Sequence, residues 1–115
     1  MPVGMILPDS VAVSDRAVWV ASSAGREMVR LNPRTLKVVA RIRVGLGPHN
    51  PAVAPDGSVF VPNNLSGTVS RIDPARNRVV ETFKVGPKPF PAAEAFGDIW
   101  VPAAGGAQVV RIHVG

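Results

Sequence analysis

Apolar residues in this chain come in short runs, cut by Pro, Gly, Asn and Asp, and no run follows the period of a helix. The second stretch of the chain predicts four strands at 51–54, 58–61, 68–72 and 78–85. Pro55-Asp56-Gly57 separates the first pair, with Gly free to take positive φ. Asp73-Pro74-Ala75-Arg76-Asn77 separates the last pair, where Asp accepts backbone hydrogen bonds and Pro presets φ. Gly86-Pro87 stops the fourth strand. Val, Ile and Thr dominate these runs, as strands favour. Ala17-Val18-Trp19-Val20-Ala21 is apolar at every position. A sheet with one wet face alternates apolar and polar residues, so this strand predicts cover on both faces.

The runs recur. Trp19, Phe60 and Trp100 are spaced by 41 and 40 residues. The same offsets relate Val18/Val59/Ile99, Val20/Val61/Val101, Arg30/Arg71/Arg111 and Leu31/Ile72/Ile112. Val38-Val39 matches Val79-Val80, and Val44-Gly45 matches Val85-Gly86, with Val3-Gly4 one period earlier. Pro8, Pro48 and Pro89 follow these glycines. A four-stranded unit at this spacing predicts an all-β fold of β-propeller blades, each of four antiparallel strands and each flanked by neighbours. A sandwich of short strands is the competing arrangement. The expected organisation is a single partial propeller over 1–115, with blades at about 9–45, 50–86 and 90–115. Residues 1–8 are expected to end a preceding blade or to supply a closing strand. This amounts to about two and three-quarter blades, against the usual four to eight. An open stack would leave apolar terminal faces wet, so closure by further blades, or by other copies in a homo-oligomer, is expected.

The segments Ala17-Val18-Trp19-Val20-Ala21, Val29-Arg30-Leu31-Asn32-Pro33 and Val53-Ala54-Pro55-Asp56-Gly57-Ser58-Val59-Phe60-Val61-Pro62-Asn63 resemble YVTN-type propeller repeats. So does Thr68-Val69-Ser70-Arg71-Ile72-Asp73-Pro74. The wider group includes surface-layer-type repeats and virginiamycin B lyase-like proteins. The resemblance spans essentially the whole chain and implies the fold more than the function, because one fold carries many activities.

Composition narrows the classes. Gly and Pro supply 23 of 115 residues (11 Gly, 12 Pro), and each Pro inside a helix costs roughly 3 kcal/mol, which argues against a bundle. There is no Cys, hence no disulfide framework or thiolate metal site. No apolar run nears the ~20 residues of a membrane span. Met1-Pro2-Val3-Gly4-Met5-Ile6-Leu7 does not look like a secretory signal, and the compartment stays open; full-length relatives are often extracytoplasmic. The net charge of +5 and pI near 11.1 raise nucleic-acid binding. However, Arg30, Arg71 and Arg111 recur at the fold period, which predicts stems packed along the blade and heads on water or carboxylates. Tyr is absent and aromatics are 5%, so base-stacking platforms are scarce and nucleic acid is not the expected partner.

The resemblance implies that loops 45–50, 86–90, 22–27, 63–67 and 103–107 share the face that usually binds ligands near the axis. On it, His49 and Asn50 stand out, since imidazole can ligate metal or move protons near neutral pH; a loop histidine without a role is the plainer reading. Glu94, among alanines of the third inner strand, could hold a cation or a basic partner, or be a solvated channel residue. Asn63 and Asn64 end a second strand, where capping the turn competes with ligand binding. His113 sits at the end of the repeat pattern, and Ser22 and Ser23 have no histidine close in sequence. The lyase-like relatives use His and Glu with Mg²⁺ on this face. Gly47-Pro48-His49 partly matches their Pro-His loop, but Pro51-Ala52 stands for the expected Gly-Ile. Ser22, Asn63 and Ala103 stand where those relatives often carry Glu. One carboxylate is thin provision for Mg²⁺. The expected function is therefore a non-catalytic binding or scaffolding module with no cofactor and no catalytic residue assigned. The alternative is a fragment of a lyase-like, Mg²⁺-dependent propeller enzyme; a cofactor-associated redox subunit is a third.

Overall fold

The computed structural model describes Gly4 and residues 7–114. Its strands are β1 (Ser10–Val13), β2 (Val18–Ala21), β3 (Glu27–Leu31), β4 (Val38–Arg43), β5 (Ala52–Val53), β6 (Val59–Asn63), β7 (Thr68–Asp73), β8 (Arg78–Lys84), β9 (Ala93–Ala95), β10 (Asp98–Ala103) and β11 (Gln108–His113). One 3₁₀ turn, Ala104–Gly106, joins the last two. They form three antiparallel sheets in simple sequence order: β1-β2-β3-β4, β5-β6-β7-β8 and β9-β10-β11. Each pairing joins neighbours in the chain, so every sheet is a meander that closes on itself before the next begins. No helix among the described residues is long and apolar enough to cross a membrane.

The sheets stack face to face in chain order. Trp19, Ala21, Met28 and Ile42 of the first pack on Val59, Val61 and Ile72 of the second. Phe60 and Val69, on the other side of the second, pack on Ala92, Ile99, Val101 and Ile112 of the third. All five residues of β6 are buried, because Val59 and Val61 face one neighbour and Phe60 the other. That two-sided cover is why the strand shows no polar alternation. Full burial of a side chain such as Phe60 is worth about 1.5–3 kcal/mol, so each interface rests on several such terms.

Local features repeat with the sheets. The third-to-fourth-strand pairing slips between Arg30 and Leu31, and again between Arg71 and Ile72. Leu36 and Asn77 both take left-handed backbone at the end of that connection, with φ of 61° and 53°. Their amides donate to the carbonyls of Asn32 and Asp73. The aromatic and arginine repeats are cross-strand partners: Trp19 opposes Arg30, Phe60 opposes Arg71 and Trp100 opposes Arg111. Each guanidinium lies over its ring, at 5.1, 5.2 and 5.8 Å from the centroid. The expected arginine stems along the blade are thus present, with the head also stacked on the ring.

The reading of residues 1–8 falls mostly outside the described residues, since Met1–Val3, Met5 and Ile6 are among those not described. Gly4 lies beside the first sheet, its carbonyl accepting from Arg41 Nη1 of β4 at 3.3 Å.

Candidate binding site at the converging loops

Five loops meet at one end of the stack, and backbone hydrogen bonds tie them together. Gly47 donates to the Gly25 carbonyl, and Asn64 donates to that of Gly47. Leu65 donates to the carbonyl of Leu46, while the Leu46 amide donates to Ser66 Oγ. Val85 donates to Gly67, Gly105 to Pro87 and Ala104 to Lys88. Each loop between sheets therefore lies against the second-to-third-strand loops of the sheets it connects.

The two inter-sheet loops and the segment before β1 share one geometry. Leu7, Gly47 and Lys88 take positive φ of 45°, 70° and 55°, and each precedes a proline. The residues after those prolines are Asp9, His49 and Phe90. Their amides donate to the carbonyls of Ala21, Pro62 and Pro102, at 3.0, 2.9 and 3.1 Å. A carboxylate, an imidazole and a phenyl ring thus occupy equivalent places on successive sheets. The aligned prolines were visible in the sequence. Counting one residue further along would have found Asp9 and Phe90, which the sequence reading missed.

His49 meets Phe90 edge-on, with centroids 4.8 Å apart and planes at 86°. Its Nδ1 is buried and has no hydrogen-bond partner. A proton there would leave a buried N–H unmet, so the arrangement favours the proton on Nε2. The two rings, with Ser23, Gly47, Asn64 and Leu65, line a recess of about 250 Å³. Ser23 is also held by Asp9, whose carboxylate accepts from the Ser23 amide at 3.3 Å and from its hydroxyl. The recess has apolar walls in Phe90 and Leu65 and polar groups in His49, Asn64 and Ser23. Such a mixture suits a small organic group or a protruding side chain.

The other sequence candidates scatter. Asn50 takes left-handed backbone (φ 46°), donates its amide to Ser10 Oγ and accepts from the Ala92 amide, joining the innermost segments of all three sheets. Asn63 is fully buried, and its Nδ2 donates to Thr68 Oγ1 and Ser70 Oγ at 3.1 and 2.9 Å. Its backbone carbonyl accepts from the Ser66 and Gly67 amides, while its side-chain Oδ1 is buried without a hydrogen-bond partner. A Cβ added to Gly45 would stand 2.8 Å from the Asn63 side chain, so Asn63 sets how closely the loop approaches. Glu94 is exposed and accepts from the Gly97 amide at 3.2 Å in the β9–β10 turn. That turn is at the far end of β9 from Phe90, so the structure does not bring Glu94 to His49. Outside the recess, the carboxyl of Asp56 is pushed up by burial and, more strongly, held down by hydrogen bonds from Ser58 and by Arg71, for a net lowering. Among the described residues, no three His, Cys, Asp or Glu side chains gather as a metal cage.

Neither a protein-family model nor a curated sequence matches the chain. Solved structures do. Hydrazine synthase from Kuenenia stuttgartiensis is 26% identical over 90% of this chain and 34% of its own, with a TM-score of 0.75. Virginiamycin B lyase from Staphylococcus aureus is 16% identical over 93% of this chain and 41% of its own, with a TM-score of 0.72. The WD40 β-propeller domain of Doa1 is 16% identical over 87% of this chain and 33% of its own, with a TM-score of 0.71. The chain spans between a third and two fifths of these solved chains. With sheets of this order and these neighbours, the chain is all-β and has the fold of part of a β-propeller.

Proposed function

We propose that this chain is a propeller repeat module of the YVTN type that works by binding, with the recess between His49 and Phe90 as its contact surface. The observation that carries this reading is the arc of Asp9, His49 and Phe90 at equivalent places around one end. It offers several different polar and apolar groups to a ligand. Further blades, in a longer polypeptide or from other copies, would cover the outer side of the third sheet. There Val109 is 66% exposed, whereas Val69 at the same repeat position is 0% exposed. Protein-observed NMR with a library of small aromatic, amide and amine compounds tests the reading. The expected result is saturable shifts at Ser23, His49, Asn64 and Phe90. Failure of every compound to move these residues would count against it.

The likeness to virginiamycin B lyase and the place of His49 favour one second reading, a piece of a Mg²⁺-dependent lyase-like enzyme. Two features weaken it. Metal-bound imidazole ordinarily donates its other N–H to an acceptor, and Nδ1 of His49 has none. Mg²⁺ also prefers several oxygen ligands, while Glu94 lies at the other end of the sheet. A Mg²⁺ titration that shifts His49 and Glu94 together would restore it.

A further inference from the structure

Charge is unevenly distributed around the recess. Arg43 and Lys84 end β4 and β8 on this side of the stack, and Arg26 and Lys88 stand in the loops that carry Ser23 and Phe90. All four are exposed, and none forms an ion pair among the described residues. The acids of this end, Asp9 and Glu27, are both engaged by their own chain. Asp9 holds the amide and hydroxyl of Ser23, and Glu27 accepts from Arg41 Nη1 at 3.0 Å. Large apolar side chains lie exposed beside the same cavity: Leu46, Leu65 and Phe90 are 42%, 69% and 38% exposed. Apolar groups gathered in this way, rimmed by charge, mark a contact surface. Taking the recess as that surface, we propose that its partner is an extended acidic segment of another protein. The segment seats one large apolar side chain between His49 and Phe90 and lays carboxylates on both sides of it.

Size, polarity and shape select this occupant. Pockets for drug-sized ligands run to about 300–1,000 Å³. The recess holds about 250 Å³, which is room for one large side chain. Asn64 lines it, and the Asn64 carboxamide makes no hydrogen bond among the described residues. An amide offers a donor and an acceptor together, the complement of a peptide group beside the anchoring side chain. A lipid bilayer is flat and has no such group to send into a concavity. The loops of Arg26 and Lys88 flank the recess through Ser23 on one side and Phe90 on the other, so acids are wanted both before and after the anchor. The buried apolar anchor supplies most of the affinity. The rim charges supply selectivity and a faster encounter.

The probe is a labelled synthetic peptide with one phenylalanine flanked on each side by two glutamates, added to the 115-residue chain. Fluorescence anisotropy is expected to rise to saturation, with NMR shifts at Ser23, His49, Asn64 and Phe90. Alanine in place of the phenylalanine should weaken binding at least about tenfold, the worth of burying a phenyl ring. Lysines in place of the glutamates should abolish it. Arg26→Glu with Lys88→Glu should weaken binding at least about fivefold, since each exposed pair is worth up to that much. Arg34→Glu with Arg78→Glu changes the net charge equally, but Arg34 lies in the β3–β4 turn and Arg78 starts β8, both at the opposite end, so binding should hold. Absence of saturation, equal binding of the lysine peptide, or equal loss from the two charge-reversed pairs would each overturn the proposal. So would co-sedimentation with phosphatidylglycerol vesicles in the absence of any peptide binding. If compounds of the small-molecule library occupy the recess while the acidic peptide does not, the partner assigned here falls and the binding reading stands; if neither shifts the recess, both fall.

Discussion

Arg30 of the first sheet reaches across to Asn77 of the second: its Nη1 donates to Asn77 Oδ1 at 2.6 Å and to the Pro74 carbonyl at 2.6 Å. The same guanidinium lies over Trp19. One side chain thus joins an aromatic core residue to the turn of the next sheet and fixes how the two sheets sit. A planar, always-charged fork can stack flat on a ring and donate within its own plane, whereas an ammonium is a compact point charge without that fixed fork. Arg30→Lys is therefore expected to lower stability by about 1–2 kcal/mol, within the range for hydrogen bonds to charged groups. Arg111→Lys, whose head is mostly exposed, should change it by less than about 0.5 kcal/mol. Urea midpoints of the two variants measure the contrast, and equal effects would refute the clamp.

Gly45 is held small by a neighbour and not by its own backbone. The Asn63 side chain stands 2.8 Å from where its Cβ would be and is tied to Thr68 and Ser70. Gly45→Ala should destabilise by about 1–3 kcal/mol through overpacking. In the Asn63→Ala background the same change should cost much less, since the obstructing atoms are gone. A double-mutant cycle reads this coupling, expected at or above about 0.5 kcal/mol; simple additivity would show that the clash is relieved elsewhere.

Leu36 and Asn77 share a left-handed backbone, but leucine tolerates it poorly. Left-handed residues with a Cβ cost roughly 1–2 kcal/mol, and asparagine recovers part of this by local hydrogen bonding. Leu36 is 55% exposed, so its side chain has little packing to lose. Leu36→Asn is expected to raise stability by about 0.5–1 kcal/mol. A lower melting temperature for this variant would show that Leu36 contributes more by contact than by conformation.

Asp56 predicts an acid limb in the stability curve. Its carboxyl is held below its ordinary value of 3.8, because hydrogen bonds from Ser58 and the Arg71 charge outweigh burial. A depressed folded-state value gives stability that is fully present above the unfolded value and is lost as pH falls through the folded one. The Asp56→Asn variant should therefore be less stable than the parent at pH 7, and the gap should close as pH drops below about 3.8. Thermal melts from pH 7 down to pH 2 follow it; a constant gap would remove Asp56 from the account.

The chain's order along one dimension was legible from its residues. The 40–41-residue spacing gave the number and order of the sheets, and the unbroken apolar character of Val59-Phe60-Val61 reflects the cover of the second sheet on both faces. Turn chemistry at Asp73-Pro74 and Asp56-Gly57 placed the connections between strands to within a residue or two. These are local or periodic properties, set by backbone preference and by which side of a strand a residue occupies. What pairs with what across strands and sheets was decided only by the tertiary structure. Arg30 opposes Trp19 through the register of β2 and β3, then meets Asn77 through the stacking of sheets, and neither offset is written in a composition or a spacing. The recess likewise exists because two inter-sheet loops with the same bend bring His49 and Phe90 together at one end, while strand direction sends Glu94 to the other.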